Sequence, residues 1–89
     1  MYEIDIKKKV MKFIESLEFK ETIIYKLKEL KQFKSGRKLR LDIERLKGTT
    51  KCQEFYRLRV GEVRFIFQVL KKERILYIKS ADYRGKVYN

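Results

Sequence analysis

Tyr56-Arg57-Leu58-Arg59-Val60-Gly61-Glu62-Val63-Arg64-Phe65-Ile66-Phe67-Gln68 reads as a β-hairpin. Tyr56, Leu58 and Val60 alternate with Arg57 and Arg59, while Val63, Phe65 and Phe67 alternate with Arg64, Ile66 and Gln68. Gly61-Glu62 suits a two-residue type II′ turn, because glycine takes a positive φ at its first position without strain. That turn pairs Val60 with Val63, Arg59 with Arg64, Leu58 with Phe65 and Tyr56 with Phe67. One face is then apolar and the other carries Arg57, Arg59 and Arg64. Like charges directly opposite on a sheet are destabilising, so their presence together points to use on an anion. The competing reading is the solvated face of a basic protein.

Working outward, Lys71-Lys72-Glu73 turns the chain and Arg74 to Ser80 forms the next strand. A turn centred on Lys72-Glu73 adds Leu76 and Ile78 to the apolar face and sets Lys79 beside Arg64. Upstream, Val10, Phe13, Ile14 and Leu17 follow helical spacing within Lys7–Leu17. Ile23, Ile24, Leu27 and Leu30 do so within Lys20–Phe33, which Ser35-Gly36 ends. Two helices so closely joined form an antiparallel hairpin. Tyr2 to Ile6 alternates as a short strand, with Asp5 as a helix N-cap the competing reading. Arg37 to Lys47 mixes two periods and reads as an extended linker, with a turn of helix around Asp42–Leu46. The expected fold is α+β, an N-terminal helical hairpin on one face of a small antiparallel sheet, in a single domain spanning 1–89.

A formal net charge of +12 on 89 residues points to a polyanionic partner, nucleic acid or an acidic protein. All eight arginines lie in residues 36–89, and arginine's planar fork suits phosphate. The binding site is therefore expected in that half, with the lysine-rich first half mainly scaffold. The chain has no histidine, which removes Ser-His and Cys-His nucleophile arrangements and most zinc sites. The single cysteine, Cys52, excludes an internal disulfide. No apolar run approaches the roughly 18 residues of a membrane span, so the expected location is cytoplasmic.

These blocks together resemble the RelE/ParE toxin superfamily, its RelE branch in particular. The resemblance spans nearly the whole chain and is carried by Glu44-Arg45-Leu46-Lys47-Gly48, by Tyr56 to Phe67, and by Tyr83-Arg84-Gly85-Lys86-Val87-Tyr88. It implies a compact microbial RNase-like fold, cleavage of messenger RNA in the ribosomal A site, and inhibition by a RelB-like antitoxin in a hetero-oligomer. It maps catalytic positions onto Arg57, Arg59, Arg64, Arg84 and Tyr88, with no cofactor or metal. Arg45, Lys47, Lys51, Lys79 and Lys86 are the basic residues expected to bind RNA or the ribosome. The family more often has lysine where Arg57 and Arg59 stand. That departure matters, because a lysine with a depressed pKa can act as a general base and arginine effectively cannot.

The chemistry also follows from the residues. RNA carries its own nucleophile, the 2′-hydroxyl, so an enzyme need only align it, stabilise charge on the phosphate oxygens and help protons move. Grouped arginines suit the second task, and Tyr88 suits stacking or proton transfer. A ParE-like gyrase inhibitor needs no such cluster. A plain nucleic-acid-binding domain is disfavoured by a shortage of exposed aromatics at the strand centres.

Overall fold

The computed structural model describes residues 2–33, 41–46 and 54–83. In chain order these hold strand β1 (Glu3–Ile6), helices α1 (Lys8–Glu15) and α2 (Lys20–Leu30), and strands β2 (Asp42–Arg45), β3 (Glu54–Val60), β4 (Val63–Leu70) and β5 (Ile75–Tyr83). The hairpin of β3 and β4 has the register expected, from Val60 opposite Val63 through Arg59 opposite Arg64 to Tyr56 opposite Phe67. Gly61 takes φ +61° while Glu62 stays out of the positive-φ region, the combination that separates type II′ from type I′.

β5 pairs antiparallel with β4 from Leu70–Ile75 through Phe67–Ile78, then shifts register so that Ile66 faces Ser80 and Arg64 faces Asp82. Lys79 is the extra residue of this bulge. It therefore does not lie beside Arg64 as expected, and Asp82 holds that position. No glycine marks the bulge, which is why a uniform register was the natural reading.

The two outer strands depart further from expectation. Asp42–Arg45, read as linker with a turn of helix, is a strand antiparallel to β3, with Ile43 opposite Leu58. Period two wins there because Ile43 packs against the core while Asp42 and Glu44 meet arginines across the strand pair. The strand expected over Tyr2 to Ile6 is present as Glu3–Ile6, and Asp5 lies within it; the α1 N-cap is Lys7, without a side-chain cap bond. β1 runs parallel to β5, so the five-stranded sheet, ordered β1-β5-β4-β3-β2, is mixed at one edge and antiparallel elsewhere.

The helices cover one face. α1 buries Val10 and Ile14, and α2 buries Ile23, Leu27 and Leu30. Past Leu30 the chain tightens, with Phe33 N–H donating to Leu30 C=O at 2.8 Å. The expected stop at Ser35-Gly36 lies outside the described residues. Leu58, Val63, Phe65, Phe67, Leu76 and Ile78 meet the helices from the sheet and are fully buried. Phe33 anchors one end edge-on, with ring centroids 5.0 Å from Tyr56 and 5.6 Å from Phe67.

At the rim of that aromatic cluster, Glu54 Oε2 lies 2.8 Å from Lys71 Nζ, and the Tyr56 hydroxyl donates to Glu54 Oε1 at 3.2 Å. The hydrogen bond from Lys71 holds the Glu54 carboxyl below its ordinary value of 4.5, against the opposing effect of burial. A carboxylate lowered in the folded state stabilises the fold above its unfolded value and loses that contribution as pH falls through the folded value. Glu54→Gln is therefore expected to cost about 1 kcal/mol at neutral pH and to flatten the acid limb of stability below pH 4.5. Denaturant titrations of both proteins across that range check it; superimposable acid limbs would contradict it.

Candidate nucleic-acid interface

The alternation that buries Tyr56, Leu58 and Val60 turns Phe55, Arg57 and Arg59 to the sheet face away from the helices. β4 adds Arg64, Ile66 and Gln68, all partly buried. Arg59 stands directly opposite Arg64, beside the turn. Of the five expected catalytic positions, the structure thus brings Arg57, Arg59 and Arg64 onto one face. Arg84 and Tyr88 lie outside the described residues.

These arginines are not free cations. Asp42 Oδ1 accepts from Arg57 Nη2 at 3.1 Å, and its Oδ2 accepts from Arg59 Nε at 2.8 Å. Glu44 Oε1 lies 3.2 Å from Arg57 Nη1. Arg64 reaches Asp82 through Nε at 3.3 Å and Nη2 at 3.5 Å, the longest contacts of the set and the weakest by geometry. Side-chain exposure rises in the same order, from 21% for Arg57 through 35% for Arg59 to 42% for Arg64. Arg57 Nε is buried and has no acceptor among the described residues.

This corrects the expectation of a uniformly basic face. Asp42, Glu44 and Asp82 share it with the arginines, and the register places Glu3 and Asp5 of β1 there too, opposite Ile75 and Tyr77. Surface ion pairs in this geometry hold side chains in place more than they stabilise the fold, being worth about 0.2–1 kcal/mol each. A guanidinium held by one edge still presents donors to a phosphate, and an incoming phosphate competes with the carboxylate for the rest. Sequence reasoning missed all three carboxylates. Asp42 and Glu44 were visible as the polar half of Leu41-Asp42-Ile43-Glu44, but pairing them with Arg57 and Arg59 needed a register spanning 15 and 17 residues.

The remaining basic positions divide. Arg45 is exposed on β2 opposite Tyr56, on the helix-facing side of the sheet, so it is not gathered with the arginine cluster. Read as part of an extended linker, Arg45 had no expected face. Lys79 does join the open face, with Nζ 4.8 Å from the Phe55 ring centroid. With Lys7 and Lys9 it also lines an open groove of about 440 Å³ against Val10 and Phe13. Lys47, Lys51 and Lys86 lie outside the described residues. The supposed lack of aromatics at the strand centres is also corrected, because Phe55 and Tyr77 sit partly exposed on the arginine face. Among the described residues no helix is long and apolar enough to cross a membrane.

No family model matches the sequence, and no characterised relative matches it either. Solved structures do. The chain is similar to the archaeal RelE–RelB complex from Pyrococcus horikoshii OT3, at 25% identity and TM-score 0.76 over 97% of this chain and 98% of that one. It is similar to the isolated E. coli RelE toxin at 20% identity and TM-score 0.66, covering 98% of this chain and 88% of that one. Similarity to the intact E. coli RelBE toxin–antitoxin complex is 19% identity and TM-score 0.62, over 97% of this chain and the whole of that one. Two helices against a five-stranded mixed sheet, in this order and at this coverage, are the RelE-like toxin fold.

Proposed function

We propose that the protein is the toxin of a toxin–antitoxin pair, a cytoplasmic endoribonuclease that cuts messenger RNA in the ribosomal A site and so stops translation. The observation that carries this reading is the arginine cluster. Arg57, Arg59 and Arg64 converge on one sheet face, and carboxylates engage Arg59 and Arg64 only through Nε and Nη2, on the fold that RelE toxins have.

The 2′-oxygen attacks the adjacent phosphorus, the bond from phosphorus to the 5′-oxygen breaks, and the products are a 2′,3′-cyclic phosphate and a 5′-hydroxyl. The proton leaves the 2′-hydroxyl and one is delivered to the 5′-oxygen. The arginines stabilise the charge that grows on the non-bridging oxygens. Arg64 is the best placed of them, since its contacts to Asp82 are the longest and its side chain the most exposed. Arg57 and Arg59 do not serve as bases, because guanidinium does not give up its proton in proteins. Proton acceptance falls instead to a carboxylate on the same face or to Tyr88, and Arg84 completes the charge around the phosphate. Basic residues of the second half, including Lys47, Lys51, Lys79 and Lys86, hold RNA or the ribosome.

A RelB-like antitoxin is the proposed partner. Phe19, Ile24 and Tyr25 on the helical layer are exposed apolar side chains, at 37%, 38% and 62%. They offer an apolar contact that salt does not screen, beside charge that an acidic segment would neutralise.

The test is a purified ribosome complex holding a defined codon in the A site. Adding the protein in the presence of a chelator is expected to cut the message within that codon and leave cyclic-phosphate ends. An intact message together with inhibited DNA supercoiling would overturn the reading in favour of a ParE-like action on gyrase.

A further inference from the structure

The arginines occupy only one end of the open face. Further along the same strands, Phe55, Gln68 and Tyr77 are direct neighbours across β3, β4 and β5. All three are partly buried, in a position where a solvated sheet face would carry charge. Lys79, displaced from the ladder by the bulge, places its ammonium against the Phe55 ring. Among the described residues neither the Gln68 amide nor the Tyr77 hydroxyl has a hydrogen-bond partner.

Between this row and the Arg59–Arg64 pair lies the row of Arg57, Ile66 and Ser80. Successive rows on one face of a sheet are roughly 7 Å apart. The lane along the three central strands is therefore cationic at the turn end and aromatic about 14 Å further on. Both of its margins are acidic, Asp42 and Glu44 on β2 and Glu3 and Asp5 on β1. Each row that crosses the strands ends on a carboxylate at one margin, Asp42 or Glu44 on β2 in the arginine rows and Asp5 on β1 in the aromatic row. A polyanion lying along the strands meets Arg57, Arg59, Arg64 and Lys79, with Asp82 in the lane already held by Arg64.

We infer that Phe55, Gln68 and Tyr77 form a nucleobase site, and that single-stranded RNA runs along the β-strands from the arginines to this row. The inference rests on the function proposed above and deepens it, naming the base contact and the direction of the strand. The Tyr77 ring offers a stacking surface to any base, and the Phe55 ring does so when the Lys79 ammonium moves from it to a phosphate. The Gln68 amide between them offers both a donor and an acceptor to a base edge. Lys79 supplies a cation for the neighbouring phosphate. An acidic protein segment fits the row less well, because the ring faces carry the negative part of the aromatic quadrupole and do not attract carboxylates.

The test uses the full chain with ribosome-bound mRNA. A 2′-deoxy substitution blocks cleavage, and 5-iodouridine is placed in turn through the A-site codon and the nucleotides beside it. Irradiation is expected to give an adduct mapping to Phe55 or Tyr77 from one position. In parallel, the Phe55→Leu/Tyr77→Leu double variant, folded by its melting curve, is expected to need roughly 5- to 100-fold more protein for half-maximal cleavage, with the maximal rate nearly unchanged. Gln68→Ala gives a second reading should the double variant not fold. Adducts confined to the helical face, or unchanged concentration dependence in every variant, would overturn the inference. Adducts on this row without any cleavage by the unaltered protein would sink the nuclease reading and leave the RNA site standing.

Discussion

Arg59 and Arg64 face each other across the hairpin beside the turn, where the closest pairs of an antiparallel ladder lie about 4.5–5.5 Å apart. Left alone, that juxtaposition opposes the pairing that buries Leu58, Val60, Val63 and Phe65. The sheet resolves it with carboxylates from its neighbours. β2 brings Asp42 to Arg59 and Arg57, and β5 brings Asp82 to Arg64. The four-residue β2 thus adds countercharge as well as covering an edge of β3. The bulge in β5 is part of the same solution, since without its one-residue shift Ala81 rather than Asp82 would stand opposite Arg64.

The distribution of charge separates two tasks. The chain's net charge is +12, yet the open face carries acids at both margins and its arginines are paired. Among the described residues the two helices carry more lysines than acids, and much of the remaining excess belongs to residues outside those described. Long-range attraction of a polyanion follows the net charge of the whole chain. Orientation belongs to the few groups whose geometry is fixed by strand register. Pairing also keeps long arginine side chains from sampling many rotamers, so less freedom is lost when a phosphate arrives.

The hairpin, its register and the gathering of three arginines were legible in the sequence because strict alternation and one glycine determine them together. The apolar partners from Leu76 and Ile78 were legible for the same reason. β2 was not, since its four residues fit a helical turn and a strand equally well until β3 is there to receive Ile43. The bulge had no local marker, so Lys79 was misplaced and Asp82 overlooked. Phe55 and Tyr77 alternate with the buried set and so belong to the open face, but only the pairing of β3, β4 and β5 brings them into one row. Which face Arg45 would take depended on β2, and was lost with it. For Arg84 and Tyr88 the sequence remains the whole basis of the assignment.

The most direct test of the account is the single-turnover rate at which Arg64→Ala cuts A-site messenger RNA. Arg64 lies on a central strand, holds its partner at the longest distances and buries no apolar surface needed by the core. A melting temperature close to that of the unaltered protein is therefore expected, together with a rate lowered by roughly 100- to 1,000-fold, the cost of losing a well-placed charge donor. A folded Arg64→Ala protein that cuts at nearly the original rate would contradict the claim that this face is where the chemistry occurs.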